Sequence, residues 1–354
     1  MKNVKKKFDK TQRDYIIRGM DNRLRKADRI TMDDIARELN VSKTTISRAI
    51  SGKGRIGKET RDKVLEYIES MGYQPNTMAR ALAVSRTYNI GVVIPDDAEH
   101  GDAPFFKDCL VGITEASQKR DYDTVLVVVS NGNTDGLQRL VTNHKVDGIV
   151  LTRFDVDGHV VSYLKEQEMP FILIGNDADD DVLQIDSNQL EGCCELISSI
   201  LAAGSKKIAL LGGREGLPVE RIRYRGFEQA FINQGKTVDQ TLVFWNAEGG
   251  LDVALDRILE RKAGCIACSD DMICIKVMEK LKERSVMVPQ DIQVVSFFDS
   301  EQLADNEVPV TALHIDTRFL SMQAGNLLID FINGKKPANR NFAECSVLYR
   351  NSSL

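Results

Sequence analysis

The chain has 354 residues, 42% of them hydrophobic and 28% charged, with seven cysteines and a formal net charge of −5. Such a length exceeds one small domain and suits two or three, with enough apolar content for real cores. The odd cysteine count, in a sequence showing no signal-peptide pattern, points to reduced cytoplasmic thiols and not to a disulfide framework; no apolar run is long enough to span a bilayer.

The net charge conceals an asymmetry. Residues 1–88 carry 21 Lys and Arg against 11 Asp and Glu, a net +10, while the remainder carries 26 against 41, a net −15. A basic head on an acidic body is the distribution expected of a nucleic-acid binder joined to a soluble sensor.

Residues 1–29 are strongly basic and weakly apolar, and read as a solvated, partly disordered extension. A DNA-contacting arm, a fragile extra helix and a downstream start at Met20 are the other readings. Residues 30–74 then read as three helices. Thr31 followed by Asp34 forms a capping box for a helix over Met32 to Leu39, with Ile35, Ala36 and Leu39 inward. Asn40 and Val41 make a tight turn, and Ser42 caps a second helix with Ile46, Ala49 and Ile50 inward, which Gly52 ends. A third helix, Lys58 to Met71, buries Val64, Leu65 and Ile68 and stops at Gly72.

Two short helices joined by a tight turn and braced by a third make a helix-turn-helix. Its second helix enters the major groove N-terminus first, so Lys43, Thr44 and Arg48 face base edges. Arginine can bond a guanine edge twice, and threonine offers a hydroxyl or a methyl. Thr45 and Ser47 suit phosphate contacts, and Thr31 and Ser42, at helix starts, complete the DNA-facing set. Residues 75–88 form a hinge and linker. Pro75 breaks the chain, Asn76 can cap, and Thr77 to Val84 supplies only about two helical turns, marginal alone and expected to order on binding.

From Asn89 short apolar runs (NIGVVI, DTVLVVV, VDGIVLT, PFILIG, KKIALLG, CIACS, IQVVSFF) alternate with helical stretches, among them Phe106 to Arg120, Asn188 to Ala203, Tyr224 to Gln234 and Met272 to Arg284. That alternation predicts two α/β lobes, each a doubly wound parallel sheet, with a cleft between them. Ligands of open parallel sheets bind beyond the carboxyl ends of the strands. The residues there are Asp96, Ser130 and Asn131, Arg153, Asn176, Asp270 and Asp271, and Asp299. This polar set, with Phe105 and Phe106 as an aromatic platform, suits the hydroxyls of a sugar.

The run VSKTTISRAISGKGRIGKETRDKVLEYIESMGYQPNTMARAL resembles the DNA-binding head of the lactose-repressor (LacI/GalR) family. The likeness continues through NIGVVIP, PFF, KVDGIVLT, RYRGF, CSDDM and VPQDIQVVSFFDS, and so covers nearly everything after residue 29. It implies a homodimeric, ligand-responsive regulator, usually a repressor, binding a pseudo-palindromic operator, with a periplasmic-binding-protein-like body. It further implies paired hinge helices in the minor groove, with Leu82 as the wedge between base steps and Asn76 and Arg80 near phosphates. In the body it implies that Arg223 and Asp299 bind the effector, with Phe105 and Phe106 at first-lobe pocket positions, while Asp96, Asn176 and Asp271 join the set from their places after strands. Three crossovers between the lobes follow as well. The first lobe is expected over 89–185 with 317–338, the second over 186–316 with 339–354.

No cofactor or metal is expected. Cys265 and Cys268 form a CxxC inside an apparent strand, where odd spacing sends them to opposite faces, and metal-spaced partners are missing. Cys193 and Cys194 read as helix packing. GGREG, Gly212 to Gly216, lacks the Lys-Ser/Thr of a phosphate loop, and the histidines at 100, 144, 159 and 314 show neither metal spacing nor a nucleophile motif, so an enzyme is not expected. A transport binding protein would carry a secretion signal and no basic head. A regulator whose input is a partner protein or a non-sugar metabolite stays open as the alternative.

Overall fold

A computed structural model describes residues 31–51, 55–71, 86–96, 103–130, 133–152, 158–175 and 181–353. The basic extension, Gly52, Gly72 and the hinge with Asn76, Arg80 and Leu82 lie outside these residues. The chain divides into two units, Met1–Ser85 and Arg86–Leu354.

The first unit holds α1 (Met32–Glu38), α2 (Lys43–Ser51) and α3 (Lys58–Ser70). Both halves of the capping box are present: the Asp34 amide donates to the Thr31 hydroxyl, and Asp34 Oδ2 accepts from the Thr31 amide at 3.0 Å. Those bonds from Thr31 hold the Asp34 carboxyl below its ordinary range. Ile35, Ile46, Ala49 and Val64 are fully buried, with Leu39, Ile50, Tyr67 and Ile68 packed against them. Leu65 corrects the expectation that it is inward. It is 39% exposed, because Val64, Tyr67 and Ile68 follow the i, i+3, i+4 stripe and Leu65 lies one residue off it.

The second unit carries two six-stranded sheets. The first contains β1 (Asn89–Pro95), β2 (Asp123–Val129), β3 (Gly148–Leu151), β4 (Phe171–Ile174) and β5 (Gln184–Asp186). Between and after these strands come α4 (Ala103–Gln118), α5 (Asp135–Thr142), α6 (His159–Glu166) and α7 (Gln189–Ala202). The second sheet contains β6 (Ile208–Leu211), β7 (Val243–Phe244), β8 (Cys265–Cys268), β9 (Gln293–Ser296) and β10 (Thr311–Ile315). Its helices are α8 (Pro218–Asn233), α9 (Leu251–Glu260), α10 (Asp271–Glu283) and the single turn α11 (Glu301–Ala304). The chain ends with α12 (Thr317–Ile332), β11 (Arg340–Phe342) and β12 (Cys345–Leu348).

The strand orders are β11-β5-β4-β3-β1-β2 and β12-β10-β9-β8-β6-β7. Their first five strands in chain order repeat one doubly wound pattern, parallel throughout except where β12 runs against β10. Strand alternation feeds both faces. Ile90 and Val92 of β1 join the core under α4 and α12, while Val93 joins the one under α5 and α6. In β8 the same rule parts the CxxC: Cys265 joins the α7–α8 side and Cys268 the α9–α10 side, both fully buried, and burial pushes both thiols up. Among the described residues no group of His, Cys, Asp and Glu is arranged to hold a metal ion.

Glycines let the main helix pairs approach closely. A Cβ on Gly112 of α4 would collide with the Arg318 carbonyl oxygen of α12, and one on Gly226 of α8 would lie 2.5 Å from the Leu190 carbonyl oxygen of α7. The chain passes between the sheets three times, from β5 to α7, from β10 to α12, and from β11 to β12. The third passage falls later than the sequence suggests. Arg340, Asn341 and Phe342 pair with Gln184, Ile185 and Asp186, so the tail adds an edge strand to the first sheet and reaches the second only at Cys345. The three-residue strand β5 that receives it is too short to read from a pattern. No described helix is long and apolar enough to cross a membrane.

Candidate functional site

In the first unit the exposed residues of α2 are those that sequence assigns to DNA. Ser42, Lys43, Thr44, Ser47 and Arg48 are exposed, while Ile46 and Ala49 on the opposite face are buried. The Ser42 hydroxyl caps the helix by accepting from the Thr45 amide at 3.1 Å, and the Ser42 and Thr45 hydroxyls lie 2.8 Å apart. Thr45 is therefore half-buried and occupied locally, which leaves Ser47 the freer hydroxyl. Lys43 Nζ rests 2.6 Å from Asp33 Oδ1; both groups are exposed, so a phosphate can displace the carboxylate at little cost.

Between the two sheets of the second unit lies a cleft with about 1030 Å³ of empty space, counting its open mouth. One wall is aromatic. Phe105 and Phe106, at the start of α4, meet edge to face at 5.3 Å and 83°, and Phe105 meets Phe298 of the other lobe at 6.4 Å and 70°. Leu217, Pro218, Val219 and Ile222 continue the apolar surface at the start of α8. One turn further, Arg223 enters the cleft and is itself buried. Its Nε donates to Gln189 Oε1 at 3.1 Å, and its Nη1 lies 3.7 Å from Glu220 Oε1. Glu220 in turn accepts from the Gly213 amide at 3.1 Å, which also donates to Ser269 Oγ, so the GGREG turn braces the arginine's partner.

Asp270 and Asp271 sit where β8 hands over to α10. Asp270 caps that helix through the Ile273 amide at 2.7 Å, and buried Asp271 lines the cleft beside it. Burial pushes the Asp271 carboxyl above its ordinary range, opposed by the Ser300 hydroxyl, nearby backbone amides and the charge of Arg223. The structure thus brings Phe105, Phe106, Arg223 and Asp271 to one cavity.

The other cleft assignments divide differently. Asn176 and Arg153 lie outside the described residues, and Asp96, just after β1, is exposed and is not among the described residues that line the cleft. Asp299 is a correction. Phe298 turns into the cleft, and Asp299, the next residue, turns away to bond both guanidinium arms of Arg350 at 2.6 and 2.9 Å, with His314 Nδ1 at 3.2 Å. Sequence reading also missed Asp186, Ser187 and Gln189, which line the cleft at the first passage between lobes. The available signal for Phe298 was the alternation of VVSFFD, which puts only one of adjacent residues on a given side.

Residues 31–76 match the family described as bacterial regulatory proteins, lacI family, and residues 197–353 match the periplasmic binding protein-like domain. The chain thus carries a lacI-family DNA-binding head and a periplasmic binding protein-like body. Its relatives are transcriptional regulators and not enzymes. One is the probable HTH-type transcriptional repressor ExuR of Bacillus subtilis (strain 168), 29% identical over 280 residues, 76% of this chain and 82% of that protein. Another is the HTH-type transcriptional regulator MalR of Staphylococcus xylosus, 28% identical over 316 residues, 88% of this chain and 94% of the other. Among solved structures, the lac repressor dimer bound to operator and the anti-inducer ONPF shares the fold with a TM-score of 0.73 at 20% identity, covering 92% of this chain and 99% of that one. The CelR–cellobiose complex does so with a TM-score of 0.68 at 23% identity, over 92% and 100%. A chain with these two domains is accordingly a DNA-binding transcriptional regulator with a ligand-binding type of body.

Proposed function

We propose that the protein represses transcription as a homodimer on a pseudo-palindromic operator, and that a carbohydrate held between the two lobes sets its affinity for DNA. The observation that carries this reading is the cleft itself, where a buried arginine and carboxylate face an aromatic wall. The relatives support both halves: one solved neighbour is a dimer on an operator with an anti-inducer, another a complex with cellobiose.

In this reading the exposed face of α2 reads bases through Lys43, Thr44 and Arg48, and Thr31, Ser42, Thr45 and Ser47 serve the phosphate backbone. Asn76, Arg80 and Leu82 act from the hinge. In the body Phe105, Phe106, Arg223 and Asp271 grip the ligand, joined by Asn176. Ligand binding changes the angle between lobes linked by three strands of chain, and through the hinge it changes DNA affinity.

The test begins with selection from randomised duplexes by the full chain, which should return a two-fold symmetric site with half-sites about one helical turn apart. A sugar that alters binding to that site should do so no longer in Arg223→Ala, while this variant keeps its operator affinity. Asymmetric sites from the selection would sink the dimer, and a normal response in Arg223→Ala would remove this arginine from the ligand site.

A further inference from the structure

Phe297, Phe298 and Asp299, three consecutive residues after β9, go to three different places. Phe297 is fully buried in the core under α7 and α8, and Asp299 bonds both guanidinium arms of Arg350. Phe298 crosses to the first lobe, where it packs against the core that Phe105 and Leu110 also border. Its backbone is held from both sides. The buried Ser296 hydroxyl donates to the Phe298 carbonyl at 2.7 Å and accepts from the Phe298 amide at 3.3 Å, and the pair between Asp299 and Arg350 fixes the next residue. The ring is therefore aimed, and it meets Phe105 across the cleft at 6.4 Å and 70°.

Rings from both lobes thus form one apolar wall, Phe105 and Phe106 from the first and Phe298 from the second. Leu217, Val219 and Ile222, at the start of α8, line the same cavity. A hydroxyl turned toward these side chains loses its water and gains no bond. A flat apolar group leaves water at a gain there, and adds ring-to-ring contact. The resemblance to the lactose-repressor family implies a ligand-binding carboxylate at Asp299. In this chain that carboxylate is committed to Arg350, and the neighbouring phenyl ring faces the cleft instead.

We propose that Phe298 sets the specificity of the cleft, and that the effector is a glycoside with a flat apolar aglycone packed against Phe105 and Phe298 and its sugar at Arg223 and Asp271. This rests on the reading of the cleft as a carbohydrate site and names what the carbohydrate carries.

The experiment is calorimetric titration of the full chain with matched probes, the methyl and phenyl glycosides of glucose, galactose and xylose in both anomers, beside indole and purine bases as flat aromatics without a sugar. Phenyl members should bind about tenfold tighter than their methyl counterparts. Phe298→Ala should cut that ratio below about threefold while the methyl members keep their affinity, and Arg223→Ala should weaken both series alike. Phe298→Leu, which keeps apolar bulk without a flat ring, should lower the ratio as well, and it stands in for the alanine variant if that one does not fold. Equal loss of both series in Phe298→Ala makes the ring a structural element and overturns the proposal. A phenyl preference that survives the substitution, or a native chain that binds methyl and phenyl members alike, overturns it too; all three results leave the carbohydrate site standing. Sugar-free aromatics that outbind the glycosides, and lose their affinity in Phe298→Ala, keep the role of the ring and overturn the glycoside together with the carbohydrate reading. Binding by none of the probes overturns both.

Discussion

Asp271 and Asp299 are two carboxylates of one lobe with opposite environments. Asp271 is buried and held above its ordinary titration range by that burial, so the native chain keeps its proton to higher pH than the unfolded chain does. With the native state binding more protons, stability falls as pH rises from the unfolded value through the shifted one. Asp271→Asn should accordingly raise the melting temperature near neutral pH, with the gain vanishing below about pH 4, where both side chains are neutral; an equal gain at every pH would assign it to packing. Asp299 instead holds Arg350 in a bidentate pair that pins the segment after β12, and that pair raises the titration of Arg350. Arg350→Ala strands a buried charge and should destabilise the body by about 3 kcal/mol. A denaturant melt of Arg350→Ala tests this, since an Asp299 committed to the ligand and not to Arg350 would leave stability almost unchanged.

At the scale of elements the lobes are organised by helix pairs pressed close. Gly112 brings α4 against the backbone of α12; Arg318 to Glu115 ties the two helices further, and Arg120, in the turn after α4, reaches Asp330. Gly112→Ala must push backbone against backbone, because the obstructing atom is a carbonyl oxygen and not a flexible side-chain end. A loss of about 1–3 kcal/mol is expected, measured as an earlier unfolding transition with the ligand cleft weakened, since α4 also presents Phe105 and Phe106. Helix caps in the head were legible at this scale from local chemistry: Thr31 with Asp34 and Ser42 with Thr45 both use side chains three residues from their partner amides. The start of α8 was not. Pro218 opens it, six residues before the expected Tyr224, because Leu217, Pro218, Val219 and Ile222 face the cleft and break the ordinary core stripe.

For the molecule as a whole, regulation requires the cleft and the DNA-reading helix to be coupled. The resemblance to the lacI family implies that this coupling runs through the hinge around Leu82. Leu82→Ala should weaken operator binding by about tenfold or more, as loss of an apolar wedge into DNA would, while ligand affinity of the free protein stays as it was. Fluorescence anisotropy on operator, beside calorimetry with the ligand, separates the two effects; unchanged operator affinity would place the coupling elsewhere. Linkage adds a quantitative check. A ligand that lowers DNA affinity by some factor must bind the DNA complex more weakly by that same factor.

Sequence alone determined the helix-turn-helix, the basic head on an acidic body, the two α/β lobes and the opposite facing of Cys265 and Cys268, because each rests on interactions between residues close in the chain. Tertiary structure decided which residues meet in the cleft. Phe105 touches Phe298 across 193 positions of sequence, and Asp299 is claimed by Arg350 across 51. The edge strand Arg340–Phe342 exists only because Gln184–Asp186 is there to pair with it. Short strands and cleft walls take their stability from partners distant in sequence, and neither the propensity nor the periodicity of the local segment encodes that partner's identity.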